Sequence, residues 1–169
     1  MGIPVRHDTT VPGRKEVIIL YNPDIHKRHS IRLKQYNYKK DGIYFITMCI
    51  QNRECLLGEI SENKMLLNNI GRTVEKELLK IQKIFKQSNI NIYQIMPNHI
   101  HFIMKIEKKN KSILGNMIRY FKGRVSSKTK IYWQRNYYEH IIRNEKEYYA
   151  ICNYIVNNPL SWKEDNNYK

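Results

Sequence analysis

The stretch that decides the fold reads I-N-I-Y-Q-I-M-P-N-H-I-H-F-I-M-K-I and covers residues 90–106. Its two runs of β-branched and aromatic residues, Ile90–Met96 and His99–Ile106, predict two short strands. Pro97 and Asn98 separate the runs and are typical of a tight turn. Alternate residues of a strand face opposite sides of its sheet. One side of the second strand is apolar and is expected to pack against helices; it consists of Ile100, Phe102, Met104 and Ile106.

Two histidines occupy the other side of this strand. His99 and His101 are two residues apart, which places both side chains on one face, about 6–7 Å apart along the strand. Histidines at this spacing can converge on one metal ion. The H-x-H pattern is weak by itself, because two surface histidines without a role are the commoner explanation. A zinc site is a further option, but no cysteine or H-x-x-E-H pattern lies nearby to complete it.

The remaining elements follow from similar patterns. Apolar residues three and four apart predict helices, and capping residues and prolines mark their ends. The expected elements are a strand at Ile43–Ile50, a small hairpin with arms at 56–59 and 64–67, a helix capped by Asn68 or Asn69, a helix capped by Ser112, a strand at Tyr137–Ile142 and a last helix from Asn144 that Pro159 stops. The β-α-β-β-α-β order predicts an α+β fold, a ferredoxin-like antiparallel sheet with its helices on one face. The extra C-terminal helix follows this core, and the other sheet face remains for a ligand or a further element.

Basic residues dominate the charge of the chain. Thirty Lys and Arg residues against fifteen Asp and Glu residues give a formal net charge of +15. Such a field attracts polyanions, so nucleic acid is the leading expected partner, although a merely basic protein from a lysine-rich proteome is an alternative. The three cysteines form no C-x-x-C pair, and no apolar run approaches membrane-spanning length. Both features favour the cytoplasm as the expected location.

The candidate DNA contacts are cationic or aromatic. Residues 1–35 lack a clear hydrophobic period and are expected to form a basic arm before a single domain at 36–169. An aromatic ring beside cations can stack on unpaired bases. For each cation, a solvated surface position is an equally good interpretation. For the tryptophan, a packing role in the core is an equally good interpretation. The candidates are Arg32, Lys34, Arg119, Lys122, Arg124, Lys128, Lys130 and Trp133, with Tyr132 nearby.

The last helix contains the tyrosine of most interest. Its apolar period predicts a buried stripe, with Tyr154 on the flank of that stripe; the stripe consists of Tyr148, Ile151, Cys152 and Ile155. Asn158 follows one helical turn later and shares the face of Tyr154. A tyrosine and an amide at this spacing can address the same ion and the same scissile group. The chain has thirteen tyrosines, however, and the pattern alone favours a half-buried packing role for Tyr154.

Six segments together resemble one known family. They are R-H-S-I-R-L-K (28–34), Y-F-I-T-M-C-I-Q-N-R (44–53), M-P-N-H-I-H-F-I-M (96–104), Y-F-K-G-R (120–124), W-Q-R-N-Y-Y-E-H-I-I-R-N-E (133–145) and Y-I-V-N-N-P (154–159). In this order and spacing, from about Arg28 to Trp162, they resemble the REP-associated tyrosine transposases. These are relatives of the insertion-sequence transposases within the HUH endonuclease superfamily. The colinear agreement is specific, whereas any one motif is not.

The resemblance implies an enzyme that cuts and transfers strands of single-stranded, palindromic hairpin DNA. It implies that His99 and His101 hold a divalent metal, Mg²⁺ or Mn²⁺, with Asn158 as a third ligand or a residue close to the metal. It also implies that Tyr154 is the catalytic nucleophile, which forms a 5′-phosphotyrosine link and releases a 3′-hydroxyl. The resemblance does not identify a general base.

Several alternatives stay open from the sequence. The chain could be a non-catalytic nucleic-acid-binding module that uses its sheet face for stacking, or a regulator derived from a decayed transposase. A monomer and a homodimer are both open, since insertion-sequence relatives exchange tyrosine helices between subunits and REP-associated relatives can act alone. Other tyrosines compete with Tyr154 but do not fit the Y-I-x-x-N-P position; they are Tyr137, Tyr138, Tyr148 and Tyr149.

Overall fold

Four antiparallel strands form the central sheet of the protein, whose computed structural model describes residues 42–107, 113–165 and 167. The elements are β1 (Gly42–Cys49), β2 (Gly58–Ser61), β3 (Lys64–Leu67), α1 (Asn69–Ile84), β4 (Ser88–Ile95), β5 (His99–Ile106), α2 (Ile113–Thr129), β6 (Tyr138–Ile142) and α3 (Glu145–Asn157). The sheet has the order β4-β5-β1-β6, and β2 pairs with β3 in a separate hairpin. With α1 and α2 as crossovers, this is the ferredoxin-like β-α-β-β-α-β arrangement, so the predicted α+β class is confirmed.

Apolar side chains bury both faces of the sheet. On one face Phe102 belongs to a large core with Leu78 of α1 and Phe121 of α2, all fully buried. On the opposite face Phe45 lies in a smaller core with Ile155 of α3. The face that the sequence left for a ligand or a further element is therefore covered by α3.

The pairing of β1 with β5 and the start of α3 position the candidate site. Thr47 lies directly opposite His101, and residues opposite each other project from the same face of a sheet. At the start of α3, the Asn144 side chain accepts a hydrogen bond of 2.8 Å from the backbone N–H of Glu147. This cap begins the helix where the sequence predicted it, and the carboxylate of Glu147 suits the positive helix end.

Local hydrogen bonds explain where the other elements begin and end. The Asn68 side chain accepts a backbone hydrogen bond of 2.9 Å in the first turn and caps α1. β4 begins at Ser88, two residues before the predicted start, because the N–H and hydroxyl of Ser88 both donate to the Phe85 carbonyl and turn the chain out of α1. Ile50, expected in the first strand, instead forms an isolated bridge with Trp133.

Some of the expectations concern residues that the structure does not describe. The cap expected at Ser112 and the basic arm at 1–35, with Arg32 and Lys34, lie outside the described residues. The boundary expected at residue 36 likewise precedes Gly42, the first residue described. In the described ranges no helix has both the length and the apolar character needed to cross a membrane.

A buried carboxylate joins α1 to α2. Glu77 is 2% exposed and accepts hydrogen bonds from Lys80 at 2.9 Å and from Lys128 of α2 at 2.6 Å. Arg124 Nε lies 3.5 Å from the other carboxylate oxygen. Burial alone raises the pKa of Glu77, but the hydrogen bonds and charges of the two lysines outweigh it and lower the pKa to about 2. Arg124 and Lys128 therefore help to hold the helices together.

Replacing Glu77 with glutamine is expected to destabilise the protein by about 1–3 kcal/mol at neutral pH, because hydrogen bonds to a charged acceptor are lost. The folded-state pKa lies below the ordinary value of 4.5, so this contribution is present above about pH 4.5 and disappears as the pH falls toward 2. Urea unfolding at pH 7 and pH 3 measures the effect, with the exposed Glu62→Gln variant as control. Equal losses of stability at both pH values would contradict an ionised Glu77.

Candidate functional site

β5 brings the two predicted histidines together in the interior of the protein. His99 and His101 are 0% and 2% exposed, and their Nε2 atoms are 2.8 Å apart. The two rings meet edge to face with 4.4 Å between their centroids. Phe45 of β1 stacks on the His101 ring at 5.5 Å. Both imidazoles therefore turn their Nε2 atoms toward one common point.

Asn98 determines which nitrogen of His99 carries the proton. Its amide Nδ2 donates to the carbonyls of Arg53 at 3.1 Å and Asn167 at 2.7 Å, which leaves Oδ1 facing His99 Nδ1 at 2.8 Å. An amide oxygen can only accept, so Nδ1 of His99 must carry the hydrogen. In the neutral ring, Nε2 then presents a lone pair to His101.

Thr47 supports His101 in a similar way. Its Oγ1 lies 2.7 Å from His101 Nδ1, and a hydroxyl can either donate or accept there. If the hydroxyl donates, His101 carries its hydrogen on Nε2 and can donate it to His99. If the hydroxyl accepts, both Nε2 atoms carry lone pairs. Two lone pairs at this distance repel each other unless both bind a shared cation. The pair can therefore exist without a metal; to bind one, His101 must carry its hydrogen on Nδ1 instead of Nε2, and the Thr47 hydroxyl must then accept from Nδ1.

The tyrosine predicted on the last helix reaches this pair. The hydroxyl of Tyr154 lies 3.2 Å from His101 Nε2, and the ring centroids of the two residues are 5.0 Å apart. The same hydroxyl is 3.4 Å from Asp165 Oδ2. The Tyr154 ring also meets Phe45 edge to face at 6.0 Å. This half-buried phenol thus has its apolar part in the small core and its oxygen beside an imidazole.

The segment after α3 adds a carboxylate that the sequence did not single out. Asp165 follows a short 3-10 turn, in which Trp162 packs on His99 with 5.9 Å between ring centroids. Asn158 Nδ2 donates to Asp165 Oδ2 at 2.9 Å, while Asp165 Oδ1 accepts from the backbone N–H of Asn167 at 2.6 Å. Trp162, a large apolar residue in a polar tail, is a local signal that this segment packs on the protein.

The donor atoms present at this point fit a divalent metal. One ligand atom each of His99, His101 and Asp165 lie within 4.8 Å of one another. A metal–imidazole bond is about 2.1 Å long, so two nitrogens bound to one ion at a right angle lie roughly 3 Å apart. Asn158 Oδ1 is buried and has no hydrogen-bond partner among the described residues, so it offers a further oxygen beside Asp165. Two nitrogens with carboxylate and amide oxygens form a donor set that divalent ions accept.

Several of the cationic and aromatic candidates that the structure describes have contacts within the protein. Lys122 Nζ donates to the Gln134 carbonyl at 2.8 Å and to the Asn136 carbonyl at 3.2 Å. Burial lowers the pKa of Lys122 to about 8. Trp133 is 8% exposed and packs on Phe121 at 5.5 Å. Arg119 and Lys130 are exposed, as is Tyr132.

Two of the competing tyrosines form contacts elsewhere. The hydroxyl of Tyr149 donates to Glu145 on the same helix at 3.3 Å. Burial raises the pKa of Tyr148, whose hydroxyl interacts with Cys152 and Asn91. Among the tyrosines of α3, Tyr154 is therefore the one that the structure brings to the histidine pair.

Comparisons with known proteins agree with the motifs. No family model matches the chain. An uncharacterized protein of Haemophilus influenzae is 42% identical over 174 residues, which cover 88% of this chain and 97% of that protein. The REP-associated tyrosine transposase of Escherichia coli is 26% identical over 125 residues, which cover 73% of this chain and 69% of that protein.

A solved structure shares the fold. The REP-associated tyrosine transposase bound to a REP hairpin superposes with a TM-score of 0.60 at 23% identity, covering 79% of this chain and 74% of that chain. The antiparallel sheet and three helices described above are common to both. The chain is therefore similar in sequence to proteins named as REP-associated tyrosine transposases, and it shares the fold of the solved structure.

Proposed function

We propose that this protein is a transposase, a metal-dependent endonuclease and strand transferase that acts on single-stranded, palindromic hairpin DNA through a 5′-phosphotyrosine at Tyr154. The observation that carries the proposal is the distance of 3.2 Å between the Tyr154 hydroxyl and His101 Nε2. A nucleophile has to lie within reach of the group that polarises its target. In this chain a phenol, two imidazoles and a carboxylate meet at one point.

The chemistry proposed for Tyr154 conserves the energy of the phosphodiester bond. Its phenolic oxygen attacks the phosphorus atom, the phenol loses its proton, and the bond from phosphorus to the 3′-oxygen breaks. The proton balances the departing 3′-oxygen, which leaves as a hydroxyl. The DNA 5′-phosphate stays on Tyr154. Attack by a 3′-hydroxyl on this phosphotyrosine reverses the step and joins strands without ATP.

His99, His101 and Asp165 are the residues proposed to hold the metal. Mg²⁺ or Mn²⁺, when bound, withdraws charge from a non-bridging phosphate oxygen. Asn98 and Thr47 orient the imidazoles through their Nδ1 atoms, which keeps both Nε2 atoms turned to the ion. Asn158, which the family resemblance implied to be a third ligand or a residue close to the metal, donates to Asp165 through Nδ2. Its proposed role is to orient that carboxylate and to offer its own buried Oδ1.

DNA is proposed to bind through the surplus of positive charge. The related structure contains a REP hairpin, and the net charge of this chain is +15. Contacts to the phosphate backbone supply most of the affinity of such proteins and make it dependent on salt. Arg119 and Lys130 are exposed and suit this role, whereas Lys122 is committed to carbonyls of its own chain. Arg124 and Lys128 pair with Glu77 but keep their side chains partly exposed.

The proposal is tested by measuring whether formation of the protein–DNA adduct requires a divalent metal. The protein is incubated with labelled single-stranded hairpin DNA and Mn²⁺, which is chosen because imidazole nitrogen binds transition ions more readily than Mg²⁺. A covalent protein–DNA band that survives denaturing electrophoresis is expected. With EDTA in place of Mn²⁺ the band should disappear, while the hairpin still binds in a native gel.

Two results would contradict the proposal. Hairpin binding without any adduct in Mn²⁺ or Mg²⁺ would favour a non-catalytic binding module. An adduct that forms equally well in EDTA would show that His99, His101 and Asp165 serve no metal-dependent step.

A further inference from the structure

A cleft of about 630 Å³ lies between two chain segments outside the candidate metal site. Its walls are Gln51, Asn52 and Arg53 on one side and Trp133, Gln134 and Arg135 on the other. This volume lies in the range of small-ligand pockets, about 300–1,000 Å³. None of these six lining residues is acidic, and two carry a positive charge.

The walls of the cleft are held by the backbone. Ile50 and Trp133 form an antiparallel bridge. Beside it, the N–H of Gln51 donates to the Tyr132 carbonyl at 2.8 Å, and the N–H of Gln134 donates to the Cys49 carbonyl at 2.9 Å. The side chains of Gln51 and Gln134 are not part of this scaffold. The cleft is therefore preformed, and its polar side chains can be exchanged without removing its walls.

Lys122 strengthens one of these walls, and the other wall has an unusual backbone conformation. Lys122 Nζ donates to the carbonyls of Gln134 and Asn136, which ties the second wall to α2. On the first wall, Asn52 and Arg53 both have a φ of 56°. This is the left-handed backbone region, which residues other than glycine seldom occupy. Backbone strain of this kind persists where the surroundings enforce it and is frequent at binding sites.

The chemistry of the lining matches a nucleotide. Side-chain amides such as those of Gln51 and Gln134 both donate and accept, which suits the edge of a base. Arg135 can pair with a phosphate. Trp133, which is 8% exposed, supplies an apolar part of the lining.

We propose that this cleft binds one unpaired nucleotide of the DNA substrate and that Gln51 and Gln134 contact the edge of its base. The inference rests on the proposed function, because it assumes that single-stranded DNA is the substrate. The cleft is also linked to the metal site: Asn98 donates to the Arg53 carbonyl in the cleft wall and accepts from His99. Asn98 is therefore a common neighbour of the cleft wall and of the proposed metal site.

The test scans a labelled hairpin with single-stranded flanks, in which each flanking base in turn is replaced by an abasic site. Binding is measured by fluorescence anisotropy in EDTA, so that cleavage plays no part. For the wild-type protein, one flank position should weaken binding roughly tenfold when its base is missing. The Gln51→Ala/Gln134→Ala protein should bind intact DNA several-fold more weakly and lose the sensitivity to that position. Exposed Asn89, on the edge strand β4, provides the control variant Asn89→Ala.

The outcomes separate this inference from the proposed function. If no position is sensitive, or the double variant keeps the full abasic penalty, the cleft does not bind a base. That result overturns the cleft assignment even where the wild-type protein forms its covalent adduct. If the penalty disappears in the double variant but no adduct forms in Mn²⁺, the cleft assignment stands and the catalytic proposal fails. A protein that does not bind the hairpin at all contradicts both.

Discussion

Tyr154→Phe is expected to reduce formation of the covalent DNA adduct by at least about a thousandfold, because phenylalanine lacks the attacking oxygen. The aromatic ring remains, so its edge-to-face packing on Phe45 at 6.0 Å is kept and the fold should be unchanged. Hairpin binding should stay within about twofold of the wild-type value, since phosphate contacts by surface cations dominate affinity. Denaturing electrophoresis measures the adduct, and anisotropy in EDTA measures binding.

Tyr149→Phe provides a matched control on the same helix. Tyr149 is 41% exposed, and its hydroxyl contacts Glu145, so loss of this oxygen should leave adduct formation unchanged. Tyr148→Phe tests the other neighbouring phenol. An adduct that survives in Tyr154→Phe but disappears in either control would identify a different nucleophile.

The fold could be predicted because its signals are local. Asn68 and Asn144 were recognisable as helix caps, and their side chains accept the expected backbone hydrogen bonds. The alternation at His99–Ile106 predicted a strand with the bounds of β5. The position of α3 was harder to predict. The stripe containing Ile151 and Ile155 shows that the helix packs against the protein, but it does not show which face of the sheet the helix covers. That choice depends on the face left uncovered by α1 and α2.

The candidate site could be predicted only in part. His99 and His101 share a strand face by simple alternation, so their proximity follows from the sequence. Asp165 lies 64 residues beyond His101 in a tail without helical or strand periodicity, and only the packing of the chain brings it there. The role of Asn98 was likewise hidden, because a turn residue gave no sign that its amide would orient His99.

Lys122 shows the same limit for the charged residues. From the sequence Lys122 was a candidate DNA contact, with a solvated surface position as an equally good interpretation, because a lysine on a helix has the same pattern whether it faces solvent or a loop. In the structure its ammonium donates to carbonyls at 134–136. The loop that supplies these carbonyls follows α2 and has no periodic pattern, so the contact could not be anticipated.

His99→Ala is expected to remove stabilisation of the protein by Mn²⁺. A ligand that binds only the folded state stabilises it by about 2.7 kcal/mol at a hundred times its Kd. For a domain of this size, that corresponds to a rise in Tm of roughly 5–10 °C. The variant lacks one of the two Nε2 atoms that lie 2.8 Å apart, so its Tm should not change with Mn²⁺. Thermal unfolding followed by circular dichroism, with and without Mn²⁺, measures the difference.

His140→Ala is the control for this measurement. His140 lies on β6 and pairs with Glu147 at 2.7 Å, so it can affect stability but not the proposed metal set. Its variant should keep the full Mn²⁺-dependent rise in Tm, whatever its Tm in EDTA. A rise that persists in His99→Ala would mean that the ion binds elsewhere on the protein.

The same His99→Ala variant should form adduct at least about a hundredfold more slowly, because a metal contributes several kcal/mol to charge stabilisation at the phosphate.

Mixing the His99→Ala protein with the Tyr154→Phe protein tests whether the histidine and the tyrosine act within one chain. The Tyr154 hydroxyl reaches His101 of its own chain at 3.2 Å, so two defective chains should not restore activity. Restored adduct formation in the mixture would show instead that the tyrosine helix serves the histidines of a second subunit. Tyr154 would then have to leave the position it occupies beside His101, and the closed arrangement would be a resting state of a dimer that exchanges α3.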